Sequence, residues 1–392
     1  MRRSRSLTWL LVLLPCLASV ASVACGSSHP AASADDGGAE DAASEPAAPY
    51  TQTLLSNAPI GSDSSKPDFQ KATASVQLTG GPFANVNLVV DLVSPCFPFS
   101  NWTTDPPPSG QSWPADCDAF DRNFEMSLVD PSDASATPGL ELIRAITPFG
   151  GPEHLEQDVT DAFNAIQGPR TFQVVIPTYS DSAGKVSGSN GGWIVSAHLD
   201  VTPGTPPANV LAVIPLFYGS VTAGEGVPGP DAGGASTDGG EANATVADIP
   251  FTMPPGTTSS HIEYRVTGHG GASDPSASCI GPAEEFCQRV HHAYLDDQQI
   301  EQVTPWRNNC SSLCTVTTGG PFGSYCAQNP CGAPASVRAS RANWCPGSET
   351  PPYKWTPAAL STPGAHSFRF AIDDMYPGGE WRVSATVYAY GD

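Results

Sequence analysis

The chain has 392 residues, enough for two ordinary domains with a sizeable core each. Its 17 basic residues face 39 acidic ones, and without the three arginines of residues 1–24 the balance is 14 against 39, or −25. A surface of that sign repels phosphate backbones and anionic lipid heads, so nucleic acid is not an expected partner.

At the N-terminus, Arg2, Arg3 and Arg5 precede the apolar run LTWLLVLLPCLASVASVA, and small residues lead to Cys25. This pattern reads as a signal peptide over residues 1–24. A cysteine at the cleavage point resembles the lipobox of bacterial lipoproteins, with Ser22 where Leu is usual, and predicts a lipid anchor on Cys25. No later segment holds the ~20 apolar residues needed to cross a bilayer. The expectation is an exported protein held to the outer membrane or cell surface through that lipid alone. After Cys25 comes GSSHPAASADDGGAEDAASEPAAP, too poor in large apolar groups to order itself, and residues 25–65 are expected to form a tether. A second Gly/Ala/Asp-rich stretch at 222–245 is the expected linker between an N-terminal domain, 66–221, and a C-terminal domain, 246–392.

Both halves have strand periodicity. Apolar residues alternate at Val86, Leu88, Val90 and Leu92, at Phe368, Phe370 and Ile372, and at Trp381, Val383, Ala385 and Val387. DVTDAFNAI, from Asp158, suggests one short helix with Asp158 or Thr160 as its cap. With 40 prolines and 38 glycines punctuating short strands, the prediction is all-β, each half an antiparallel sandwich or jelly roll.

Beyond Cys25 there are nine cysteines, an odd number, so one thiol stays free or Cys25 joins a bridge. No tight CxxC pair argues for zinc. Two short stretches, CDAFDR at Cys117–Arg122 and CIGPAEEFC at Cys279–Cys287, put carboxylates beside cysteines. If Cys96 pairs with Cys117 and Cys279 with Cys287, bridged loops hold Asp118, Asp121 and Arg122 on one half and Glu284 and Glu285 on the other. Strand-end loops on rigid sheets are where such proteins carry function. Acidic residues in the loops of an acidic protein are more often solvated surface, and spacing alone favours that reading. His291 and His292, adjacent on a strand, point to opposite faces and cannot both ligate one metal without a bend.

The segments CDAFDR, LIRAITPF, LEQDVTDAF, HIEYRVTGHG, EEFCQRVHH and RANWCPG, in that order from about residue 85 to Tyr390, resemble the peptide:N-glycosidase F family. The resemblance implies two antiparallel eight-stranded jelly-roll sandwiches packed side by side. It implies an amidase acting on N-linked glycoproteins or glycopeptides, without metal or other cofactor and expected to be monomeric. Asp121 and Glu285 fall on the family's essential carboxylates, one from each half. Asp118 and Arg122 flank Asp121 as in the family, and Arg341 and Trp344 fall on positions lining the same cleft. Cys345 is expected to bridge to Cys310, and Tyr179 and Trp344 are candidates to stack on sugar faces.

Three features depart from the family pattern. Pro177 stands where the family has a third acidic residue. Phe120 and Phe286 replace tryptophans beside the two acids, keeping an apolar wall but losing an indole donor. Cys314, Cys326 and Cys331 lie in an expanded loop with no counterpart. Two competing readings follow: a glycan-binding surface lipoprotein that has lost turnover, and a copper monooxygenase-like protein of related fold, which would need a His cluster and a Met ligand.

Overall fold

Strand periodicity of two can bury one face only if a second sheet covers it, and the computed structural model meets that requirement twice. It describes residues 47–130, 139–166, 168–179, 183–223, 242–270, 279–281 and 283–392. The expected signal peptide, Cys25 and the middle of the expected linker lie outside these residues.

The first sandwich contains β1 (Tyr50–Ile60), β2 (Lys71–Val76), β3 (Phe83–Val93), β4 (Asn123–Val129), β5 (Leu140–Ile146) and β6 (Glu153–Asp158). A short helix α1 (Thr160–Ala165), β7 (Arg170–Val175) and β8 (Trp193–Pro203) complete its chain order. One sheet runs β1-β8-β3-β6. The alternating Val86, Leu88, Val90 and Leu92 of β3 are fully buried in one core with Phe124, Met126, Ile143, Phe172 and Val174. At α1 the Asp158 carboxylate accepts from Thr160 N at 2.9 Å, while the Thr160 hydroxyl accepts from Val86 N at 2.8 Å and ties the helix to β3.

The second sandwich uses β9 (Val210–Thr222), β10 (Ala242–Thr245), β11 (Ile249–Met253), β12 (Ser259–Gly270), β13 (His291–Leu295) and β14 (Gln298–Val303). A small hairpin, β15 (Val316–Thr318) and β16 (Ser324–Cys326), and a short helix α2 (Pro334–Arg338) follow. Then come β17 (Ser348–Glu349), β18 (Tyr353–Trp355), β19 (Gly364–Met375) and β20 (Gly379–Tyr390). The sheet β18-β12-β20-β9 faces the sheet β10-β19-β13-β14, with β11 also on β19. Phe368, Phe370 and Ile372 of β19 meet Trp381, Val383, Ala385 and Val387 of β20 across the core.

Three boundaries differ from the sequence expectation. β1 falls inside the segment read as tether, because YTQTLLSNAPI pairs along its length with β8 and buries Leu55 and Ile60. β9, assigned by sequence to the first half, pairs with β20 in the second sandwich, so the change of sandwich precedes Val210. β10 occupies the end of the expected linker and pairs with β19. Among the described residues each sandwich combines a four- and a five-stranded sheet: β17 crosses back to pair with β5 as the edge of the order β17-β5-β4-β7-β2 in the first, and β11 adds to β19 in the second.

β20 is buried on both faces over most of its length, because its second face meets the first sandwich. There Arg382 donates to both carboxylate oxygens of Glu125 at 2.7 and 2.8 Å, and Tyr218 OH donates to Glu125 at 2.5 Å. Arg144 is held by Glu141 at 2.8 and 2.9 Å and donates to the Arg382 carbonyl at 2.6 Å. Ser384 donates to Glu141. A seam made of paired buried charges and of β17 main chain fixes the angle at which the two sandwiches present their loops.

A candidate active site at the seam

The turn CDAFDR is folded by its own ion pair. Buried Asp118 accepts from Arg122 Nε at 2.9 Å and Nη2 at 3.0 Å, and from Phe120 N at 3.2 Å. Arg122 N donates to Thr147 Oγ1 at 2.8 Å, and that hydroxyl donates to the Phe120 carbonyl at 3.2 Å. With Asp118 and Arg122 satisfying each other, Asp121 is the carboxylate of this turn left without such a partner, its side chain 14% exposed. Cys96 is bonded to Cys117 immediately before the turn.

The second sandwich repeats the device. Residues Glu284–Phe286 form one 3₁₀ turn closed by the Cys279–Cys287 disulfide. Buried Glu284 accepts from Arg289 Nε at 2.8 Å and Nη2 at 3.0 Å, from Trp381 Nε1 at 3.0 Å and from Tyr376 N at 3.2 Å. Its neighbour Glu285 is half-buried, and the Glu285 carbonyl accepts from Ala342 N at 2.8 Å. In each turn one acid is consumed in holding shape beside a second acid that is not.

Arg341 joins the two turns. Its Nη2 lies 3.7 Å from the Asp121 carboxylate and 3.1 Å from Ser336 Oγ, while Nε and Nη1 have no hydrogen-bond partner among the described residues although the side chain is 1% exposed. The guanidinium sits 4.8 Å over Phe286 and 4.6 Å over Trp344, a cation–π clamp that fixes its plane. Behind Trp344, His269 stacks at 5.4 Å, and burial holds that imidazole down to about 3, so it stays neutral beside Arg341. Gly268 of β12 makes the layer possible: a Cβ there would stand 2.8 Å from the Ala342 side chain, and its carbonyl accepts from Trp344 Nε1 at 2.8 Å.

Electrostatics mark Asp121 as the unusual group. Burial, and then the negative charge of Glu285, push its carboxyl up to about 7, against the opposing pull of Arg341 and Arg122. Burial also raises Glu285, again opposed by Arg341. The two carboxyls feel each other across the seam with one guanidinium acting on both. Interacting groups of this kind titrate as a pair rather than singly.

Several expected contacts are revised by burial. Trp344 is 1% exposed between Arg341 and His269, so it has no face to offer a sugar and serves to orient the arginine. Asp118 is fully buried and Arg122 is 6% exposed, which makes them a positioning pair rather than substrate contacts. Tyr179 lies 4.1 Å from the Arg122 guanidinium and is 52% exposed, leaving ring surface at the rim. Phe120 packs at 6.4 Å on Phe149, and Pro177 is an exposed residue just beyond β7. Cys310 is bonded to Cys345 and Cys314 to Cys326, while Cys331 is the free thiol among the described residues, packed near the Cys96–Cys117 bridge and pushed by burial far above its usual range. His291 meets Tyr264 OH at 3.0 Å and His292 meets Asp373 at 2.8 Å, on opposite faces of β13. Ser336 and Thr147 were not singled out by sequence, since single hydroxyls in loops carry no spacing signal.

Fold and site together define a two-sandwich protein with one acid from each sandwich at the seam. Residues 240–390 match the family model described as Peptide-N-glycosidase F, C terminal. The peptide-N(4)-(N-acetyl-beta-D-glucosaminyl)asparagine amidase F of Elizabethkingia miricola is 26% identical over 240 residues, which are 60% of this chain and 57% of that relative. The chain thus spans less than two thirds of that curated relative. A crystal structure of a peptide-N(4)-(N-acetyl-beta-D-glucosaminyl)asparagine amidase matches 88% of this chain and 96% of its own, with TM-score 0.61 and 17% identity. The PNGF-II structure in space group C2 matches 88% of this chain and 65% of its own, with TM-score 0.61 and 18% identity. The likeness to the peptide:N-glycosidase F family thus lies in residues 240–390 by sequence model and in the fold of the two sandwiches by structure.

Proposed function

We propose that this protein is an exported amidase that hydrolyses the amide joining the first N-acetylglucosamine of an N-linked glycan to its asparagine, releasing a glycosylamine and leaving aspartate. The observation that carries this reading is the coupling of Asp121, raised to about 7, to Glu285 of the other sandwich, with Arg341 between them.

Hydrolysis of an amide needs an aimed water, a base for its proton, donors for the carbonyl oxygen as it gains charge, and a proton for the departing nitrogen. Asp121, poised near neutral pH, takes the proton of the attacking water and returns it to the leaving nitrogen. Glu285 accepts hydrogen bonds from the sugar and from that water and holds them in line. Arg341, 1% exposed beside Asp121, stabilises the charge on the carbonyl oxygen through its field rather than by contact, a role for which Arg122 is less suited because Asp118 neutralises it. Water adds to the carbonyl carbon, the C–N bond breaks, and the nitrogen leaves as the amine.

The test is incubation of the purified protein with a denatured N-glycoprotein, reading asparagine-to-aspartate conversion by mass spectrometry, beside Asp121→Asn and Glu285→Gln. Conversion by the native chain and loss of about 10²-fold or more in each variant is expected. Absence of conversion with retained glycan binding would favour the non-catalytic reading, for which Pro177 at the family's third acidic position is the specific support. Lipid attachment at Cys25 and a monomeric state are part of the same proposal, the four disulfides being consistent with an oxidising compartment. Radiolabelled fatty acid incorporated by the native chain and not by Cys25→Ser checks the anchor.

A further inference from the structure

The expanded loop 310–331 is absent from the expected family pattern, and the site described above does not use it. Its hairpin β15–β16 is closed by the Cys314–Cys326 disulfide and leans on the Cys96–Cys117 loop through aromatic rings. Phe99 is the hub, with Phe97 at 5.4 Å, Trp102 at 5.5 Å, Phe322 at 5.8 Å and Tyr325 at 5.2 Å, all edge to face. Trp113 joins by packing 5.3 Å from Phe322 and 6.1 Å from Trp102. Gly320, at φ +69, brings the hairpin backbone so close to Phe99 that a Cβ there would lie 2.6 Å from the ring.

These rings do not form a closed core. Phe322 is 46% exposed and Val316 of the same hairpin 51% exposed, and the other five rings are half-buried. Both indole N–H groups are spent inward, Trp102 on the Cys96 carbonyl at 2.9 Å and Trp113 on the Lys185 carbonyl at 3.2 Å, so what faces outward is ring surface. The surroundings are uncharged: in a chain with 39 acidic residues, segments 94–115 and 310–331 carry one charge between them, Asp105, and many Ser, Thr, Asn and Gln. Ring faces among neutral hydroxyls and amides suit a neutral polyol with apolar C–H faces, and do not suit a charged peptide.

The platform is also continuous with the candidate site. The Cys331 N–H donates to the Phe149 carbonyl at 3.0 Å, Phe149 N donates to Asn329 Oδ1 at 2.9 Å, and the Phe149 ring packs on Phe120, the residue before Asp121. We propose that the hairpin and the Cys96–Cys117 loop form a subsite that stacks neutral pyranose residues of the glycan distal to the cleaved linkage. This rests on the amidase reading for its setting, and selects extended neutral glycans over truncated ones.

The test has two arms. In the first, a released neutral N-glycan oligosaccharide is titrated into the purified protein by calorimetry, and into Phe322→Ser and Phe322→Leu, the second keeping apolar volume without a ring. Stacking predicts binding weakened about five- to tenfold in both variants, as expected for one aromatic contact. No binding by the native chain, equal binding by the variants, or displacement of the oligosaccharide by an unglycosylated denatured polypeptide would each overturn the subsite. The second arm compares release from glycopeptides bearing one N-acetylglucosamine or the extended glycan. The variants should raise KM for the extended substrate alone and leave kcat for both unchanged, and an equal loss on both substrates would overturn the subsite. A chain that binds the oligosaccharide and releases nothing sinks the amidase reading while leaving the subsite standing.

Discussion

Neighbouring carboxyls of one short segment meet opposite fates, and hydrogen bonding decides which. Asp118 and Glu284 each accept both forks of an arginine and are spent on shape. Asp121 and Glu285 have no such pairing, and burial raises both, with the negative charge of Glu285 adding to the rise at Asp121. Since Asp121 is raised from 3.8 to about 7, the folded state holds its proton more tightly than the unfolded chain. Its contribution therefore costs stability as pH rises from 3.8 to about 7, and the cost is constant above. Asp121→Asn should abolish turnover yet raise the unfolding midpoint at pH 8 and not at pH 3, by as much as about 4 kcal/mol before solvent screening at its exposed edge. Thermal melts at the two pH values check it. If Asp121 is the base, kcat/KM rises with pH through about 7, which a pH–rate profile reads directly. Arg341→Lys keeps the charge but loses the plane clamped by Phe286 and Trp344, and a kcat lowered about 10²-fold with KM little changed is expected.

At the level of elements, each acid sits on a short turn pinned from two sides. Cys96–Cys117 and Cys279–Cys287 close the loops, and the buried acid–arginine pairs orient the turns. Glu284→Gln weakens the acceptor that Arg289, Trp381 and Tyr376 N share, and a loss of about 1–3 kcal/mol measurable by urea unfolding is expected. Replacing Cys279 and Cys287 together by Ser should lower kcat more than it lowers stability, because a short loop gains little from closure while Glu285 loses its aim. Steady-state kinetics beside a denaturant curve separates the two effects.

For the whole molecule, the seam is the element that makes one site out of two sandwiches. Glu125 binds Arg382 and Tyr218 across it, and β17 from the second half completes a sheet of the first. Arg382→Ala strands Glu125 with Tyr218 and a distant Arg144, and the expected loss is about 3–5 kcal/mol with a parallel fall in kcat. Glu153 presents the reverse case, a buried carboxyl with both oxygens unpartnered among the described residues, raised well above its usual range by burial and by Glu349. Its folded-state proton is bound more tightly, so it destabilises progressively above pH 4.5, and Glu153→Gln should raise the melting temperature at pH 7 but not at pH 4.

The alternation of Val86, Leu88, Val90 and Leu92, and of Trp381 to Val387, was enough to specify strands and their inward faces, because a strand's side chains have a period of two whatever they pack against. The cysteine-bounded stretches likewise marked the turns that carry the acids. Sequence could not say that β9 crosses to the second sandwich or that β1 is a strand, since polar alternation in YTQTLLSNAPI gains meaning only from its partner β8. Nor could it separate Asp118 from Asp121, Glu284 from Glu285, or a sugar-facing Trp344 from one sealed between Arg341 and His269. Those distinctions depend on which group finds a partner when distant segments meet. Local pattern fixes conformation and facing, whereas charge state and access are properties of the assembled neighbourhood.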